Sequence, residues 1–229
     1  MAKRLTSKTV ALPCRASPPQ GGRSVGRHFA FLTTTLRFWG TLLALFASPI
    51  IAHAEWKPVE KIETYAISGQ TTPELYASIG ERGPQLGGQG RVIAHTTFKL
   101  TWTRNYQPQA GRCVLVSAVP KLTIIYTLPK PSASLSPAIR RRWQTFIDGV
   151  AAHERVHGGF VTDMVHEIEA LSVGFSADDD PGCTKIRAAL TARLGEISQR
   201  ERQRNSDFDR VEMSQGGKMQ QLILALVND

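Results

Sequence analysis

From Ser136-Pro137 to Gly174 the apolar residues of this chain recur at helical spacing, and a five-residue His-Glu-x-x-His lies in the middle of that apolar stripe. Trp143, Phe146, Ile147, Val150, Val161, Met164, Ile168 and Leu171 fall at intervals of three, four or their sums, which predicts one long helix. Ser136 is placed to cap it, and Pro137 suits its first turn. No other stretch of the sequence limits the fold so strongly.

The motif, His153-Glu154-Arg155-Val156-His157, carries chemistry because of the helix it sits on. Residues four apart differ by about 40° in direction, so His153 and His157 can turn two imidazoles onto one ion. Glu154 points about 100° away from His153, beside such an ion and not into it. That is the place for a general base, since zinc brings the pKa of its water toward about 7. The bland alternative is a pair of core histidines satisfied by neighbouring polar groups. A catalytic zinc site takes three protein ligands, and the third is not obvious here. Asp163 lies about 240° and His166 about 180° round the helix from His157, so neither reaches the same ion. No histidine follows Gly174, which leaves Glu196, Glu201, Asp207, Asp209 and Glu212 as candidates.

Ahead of the long helix the pattern is mainly β. Val59 to Ser68 reads as a strand, and Thr72-Pro73-Glu74 as the start of a short helix with Thr72 as its cap. Gly87-Gly88-Gln89-Gly90 reads as a turn, because no phosphate-cradling pattern follows it. Arg91 to Thr103 alternates cleanly, with Val92, Ala94, Thr96, Phe98, Leu100 and Trp102 on one face. His95 falls on the other face, as a surface histidine or an oxyanion donor. Gln107 to Gly111 is a turn, and Arg112 to Leu128 a second β segment in which Pro120 suggests two short strands or a bulged edge. After the long helix, Asp178-Asp179-Asp180-Pro181-Gly182 reads as a solvated turn into a second helix, from about Cys183 to Arg204. The fold class is therefore α+β: a small antiparallel sheet of three or four strands, then two long helices, the first bearing H-E-x-x-H.

Residues 1–54 read as a leader, and residues 55–229 as one metallopeptidase-like domain. The leader holds seven basic and no acidic residues, then an apolar run from Phe38 to Ile51, then Ala52-His53-Ala54, a small-x-small cleavage pattern. Those are the parts of a secretory signal, and the run is short for a membrane span. An uncleaved anchor is the alternative, and would be the chain's only tie to a membrane. Without the leader, 21 basic residues face 19 acidic ones, so the net charge of +9 belongs mostly to the leader. No basic patch then argues for nucleic acid. Of the cysteines, Cys14 leaves with the leader, and Cys113 and Cys183 remain. An even pair in an oxidising compartment reads as a disulfide, the alternative being two separate buried thiols.

The chain resembles the predicted secreted zinc-dependent proteases of bacteria, a family of unknown function, from about Tyr65 to Gly217. The residues that carry the resemblance are Tyr65-x-x-Ser68-Gly69, Glu74-Leu75, Gly83-Pro84, Thr96 to Trp102, Cys113, Leu128-Pro129, Trp143, His153-Glu154-x-x-His157 and Cys183. It implies an exported metallopeptidase with Zn2+ on His153 and His157, Glu154 as base, and Cys113 paired with Cys183. One departure stands out. The family pattern has a Tyr-Asp pair followed by His-Gly; here Phe208-Asp209 matches the pair, but Ser214 falls where that histidine would be. Either Asp209 or Glu212 substitutes as a ligand, or metal affinity and activity are reduced. The expectation is a periplasmic or secreted zinc peptidase acting on protein or peptide. Its alternative is a catalytically impaired relative that serves as an extracytoplasmic binding module.

Overall fold

The computed structural model describes residues 56–86 and 90–228. The leader, and residues 87–89 of the Gly-rich turn, lie outside the described residues. The elements in order are β1 (Val59–Ile67), α1 (Thr72–Arg82), β2 (His95–Gln109), β3 (Arg112–Pro131), α2 (Pro137–Ser172), β4 (Ser176–Ala177), α3 (Lys185–Glu212) and α4 (Lys218–Val227). The α+β class expected from the sequence holds: a small sheet of four strands, followed by long helices.

The strand order is β1-β3-β2, with the short β4 pairing the start of β3. β2 and β3 form an antiparallel hairpin, turned by Ala110 and Gly111, both at positive φ (49° and 84°). Two left-handed residues make the turn whose twist matches that of the flanking strands. The sheet is mixed, however, because β1 runs parallel to β3. A parallel neighbour needs a crossover, and α1 with the segment leading into β2 supplies it. Of the two readings of Pro120, the structure gives the edge and not the split: β3 is continuous, with a register shift opposite Asn105 and Tyr106. Pro120 pairs with Trp102 of β2, while β1 joins β3 only from Thr123 and β4 only at Cys113 and Val114. Among the described residues β3 therefore has no second neighbour at Pro120, and the missing N–H can face that open side.

Side chains sort by strand period. Leu122, Ile124 and Tyr126 of β3, with Leu100 and Trp102 of β2, pack against Val161, Met164, Val165 and Ile168 of α2. Gly158 lets α2 approach this closely, since a Cβ there would overlap the Tyr126 hydroxyl. Nearer its N-terminus, α2 buries Trp143, Phe146 and Val150 against β1, α1 and α4, and Gly149 makes room for Leu222 of α4. A third cluster surrounds Cys113 and Cys183, which form a disulfide with Leu115, Ile186 and Leu190 around it.

The helix starts differ from expectation in detail. Thr71, not Thr72, caps α1: its hydroxyl accepts from the Glu74 N–H, and the Glu74 carboxylate accepts from the Thr71 N–H. That reciprocal pair needs the acid three residues after the cap, which fixes Thr71 and leaves Thr72 buried inside the helix. Ser136 stands at the start of α2 but makes no side-chain capping bond. Asp180, read as part of a solvated turn, is buried; its carboxylate accepts from the Thr184 and Ile186 N–H groups and so caps the start of α3. And α3 continues to Glu212, eight residues past the expected end.

Candidate metal centre

The motif lies at mid-length on α2, where the helix passes beneath the first residues of β2 and the last turns of α3. His153, Glu154 and His157 are all buried. From α3, Asp209 completes a triangle of atoms. His153 Nε2 and His157 Nε2 are 3.1 Å apart, and Asp209 Oδ1 lies 3.2 Å from the first and 2.9 Å from the second.

The protons can be placed by following the donors outward. Asn205 Nδ2 donates to the Glu201 backbone carbonyl and carboxylate, which turns Asn205 Oδ1 toward His157 Nδ1. A carbonyl oxygen only accepts, so His157 carries its proton on Nδ1 and presents a lone pair at Nε2. That lone pair meets a carboxylate oxygen and a second imidazole nitrogen. His153 Nδ1 is buried with no hydrogen-bond partner among the described residues, and the Glu212 carboxylate stands 3.7 Å from it. Three electron-rich atoms thus converge in a space that calls for a cation. Burial opposes charge on His157, but the Asp209 and Asn205 oxygens outweigh it and raise the pKa. Burial likewise opposes charge on Asp209, but the two imidazoles hold its carboxyl far below the usual range.

A divalent ion fits the same atoms. Tetrahedral zinc with bonds of 2.0–2.1 Å separates its ligand atoms by about 3.4 Å, close to the three edges found here. Two imidazoles and one carboxylate are also a known catalytic donor set for zinc, one that leaves a fourth position for water. Among the described residues, His153, His157 and Asp209 form the group suited to holding a metal.

Glu154 stands apart from the triangle, as a base should. Its Oε2 accepts from the Thr96 hydroxyl at 2.7 Å, and the same hydroxyl lies 3.0 Å from the Glu154 carbonyl. Burial raises the Glu154 pKa despite the Thr96 bond and the nearby histidines. Phe208 stacks on His153 at 4.8 Å between ring centroids and meets His157 edge-on, an apolar wall for the imidazoles. The whole site opens into a cavity of about 600 Å³ between α2, α3, the segment from Arg91 to Ala94 (which the sequence pattern placed in the strand but which precedes it) and the first residues of β2.

The structure thus brings His153, Glu154 and His157 together with Asp209, and puts Glu212 beside His153. Glu201 lines the same cavity but is held by Asn205, outside the triangle, and the other candidates lie elsewhere: Glu196 pairs with Arg193, Asp207 with Arg210, and Asp163 with Arg204. His166 lies against Trp56. Ser214 bonds back to the Val211 carbonyl near the end of α3. His95 lines the cavity, and its Nδ1 is buried without a partner. Thr96 and Asn205 were not singled out from the sequence. Thr96 left one signal, a hydroxyl on a strand face otherwise apolar. Asn205 left another, midway between Glu201 and Asp209 at intervals of four.

No curated protein and no solved structure matches the chain. One family model does, over residues 62–217, and its span takes in both histidines, Glu154, Asp209 and both cysteines of the disulfide. On that match the chain belongs to the family described as "Bacterial protein of unknown function (DUF922)".

Proposed function

We propose that this chain is a zinc-dependent peptidase acting outside the cytoplasm, with His153, His157 and Asp209 as ligands and Glu154 as general base. The observation that carries the proposal is the convergence of three acceptor atoms, one from each ligand, beside a buried carboxylate that is kept out of the triangle. A bound zinc ion would supply an acidified water and polarise the substrate carbonyl. The protein's own groups do the rest. Asn205 keeps the His157 lone pair aimed inward, and Thr96 fixes the rotamer of Glu154. Burial keeps the proton affinity of Glu154 above that of an ordinary carboxylate, which suits it to take a proton from the attacking water. The same carboxyl can then deliver that proton to the leaving amine. Asp209 is about half exposed to the cavity, so the ligand wall leaves room for a substrate. Export is supported by the signal-like leader and by the disulfide, a bond of oxidising compartments.

The test is zinc content and peptide cleavage by the protein lacking residues 1–54, set against Glu154→Gln. One zinc per chain in both, with activity in the parent alone and down by at least about a thousandfold in the variant, is the expected result. Equal cleavage by both proteins would refute the mechanism. Ser214, at the position where the family resemblance has histidine, motivates the second reading, a non-catalytic binding module. Folded protein that takes up no zinc would favour it.

A further inference from the structure

The cavity wall contributed by α3 and its C-cap Met213 is one stripe: Glu201 and Arg202, then Asn205, Asp209 and Met213, follow at intervals of three and four. Asn205 and Asp209 are occupied by the histidines. Arg202 is not occupied by anything. Every other arginine of α3 has a partner: Arg187 lies over Tyr106, Arg193 pairs with Glu196, Arg200 with Glu167, Arg204 with Asp163 and Arg210 with Asp207. Among the described residues Arg202 has neither an ion pair nor a hydrogen bond, and its sequence neighbour Glu201 is bonded to Asn205. Across the cavity Arg91 donates to the Gly83 carbonyl and has no carboxylate partner either.

The lining carboxylates, by contrast, are all engaged: Glu154 by Thr96, Glu201 by Asn205 and Asp209 by the histidines. Once a dication sits on its ligands, the uncommitted charge of the cavity is positive. We propose that Arg202 receives a carboxylate of the bound peptide, so that the preferred substrate carries an acidic group a few residues from the scissile bond. The spacing supports this. Seven helical residues separate Arg202 from Asp209, about 10 Å along one face of α3, and an extended peptide covers that distance in about three residues. A planar guanidinium with free N–H groups is the side chain best shaped to grip a carboxylate. The carboxylate can be an Asp or Glu side chain or the free C-terminus of the peptide.

This inference rests on the peptidase reading, and its test keeps the two apart. Quenched fluorogenic peptides would carry Asp, Asn or Lys three residues to either side of the scissile bond, each with a free or an amidated C-terminus. Their labelled counterparts would be bound to zinc-loaded Glu154→Gln protein and followed by fluorescence anisotropy. The expected preference for the acidic peptide over the neutral one is about tenfold in kcat/KM and in affinity, and it shrinks as salt is raised. Arg202→Glu should invert the preference toward Lys peptides, while Arg193→Glu, the same charge change on α3 outside the cavity, should leave it as in the parent. A preference for Asp over Asn that survives amidation assigns the carboxylate to a side chain, and a preference for free over amidated peptides, whatever the side chain, assigns it to the chain terminus. No preference in the parent, or one that Arg202→Glu does not alter, overturns the proposal. Binding that follows the charge at residue 202 with no cleavage of any peptide would sustain the carboxylate site and sink the peptidase reading.

Discussion

Two residues outside the motif divide the work of the site between them. Asn205 touches a ligand and not the base; Thr96 touches the base and not a ligand. Their substitutions should therefore separate metal binding from catalysis. Asn205→Ala frees the His157 ring and should weaken zinc binding by about 10–100-fold, read by competition with a chromogenic chelator. Thr96→Val should keep zinc affinity near that of the parent but lower kcat by about tenfold or more, because Glu154 loses the bond that orients it. Equal effects of both changes on zinc affinity would contradict the assignment. The site was half legible at this scale. His153, Glu154 and His157 are adjacent in sequence and advertise themselves by spacing. Asp209 lies 52 residues beyond His157, and spacing does not mark which of several late carboxylates folds back; only the family resemblance, through Phe208-Asp209, narrows the choice to Asp209 or Glu212.

At the scale of elements, the approach of α2 to the sheet depends on Gly158, directly after the second histidine. Gly158→Ala should cost about 1–3 kcal/mol in chemical denaturation, because its methyl group would overlap the Tyr126 hydroxyl. Tyr126→Phe in the same background should recover part of the loss, since the obstructing atom is then gone. The elements themselves were readable where burial imposes a period: α2 by its stripe, β2 by its alternation. The direction of β1 was not, because strand residues record which face is buried and not which way a neighbour runs. The end of α3 was missed for a related reason. Its buried residues are Ile186, Leu190 and Ile197, and beyond Ile197 no apolar stripe exists to extend the pattern. Past Ile197 the helix is tied to α2 by Arg200 with Glu167, Arg204 with Asp163, and Phe208 against Phe160. That extension is what delivers Asp209.

For the molecule as a whole, acid is the revealing stress. Burial would push the Asp180 pKa up, but the N–H groups of Ile186, Thr184 and Lys185 outweigh it and bring the pKa below the ordinary Asp value. A carboxylate lowered by folding stabilises the native state above its unfolded pKa, and the benefit fades as pH falls through the folded value. The melting temperature should therefore drop below about pH 4. Asp180→Asn should melt lower at neutral pH and lose less on acidification; an unchanged pH profile would argue against the role given to this cap. The run of α3 past Ile197 has a further consequence. With no fully buried apolar residue of its own, this half of the helix is held by two surface ion pairs, by Phe208 against Phe160 and the histidines, and by Asn205 and Asp209. Zinc would then act as a rivet between two helices, and loading it should slow amide hydrogen exchange across residues 200–212 far more than in the sheet. The stripped protein would breathe there, loosening the wall that the ion needs, so metal capture and the final setting of the helix would be one event.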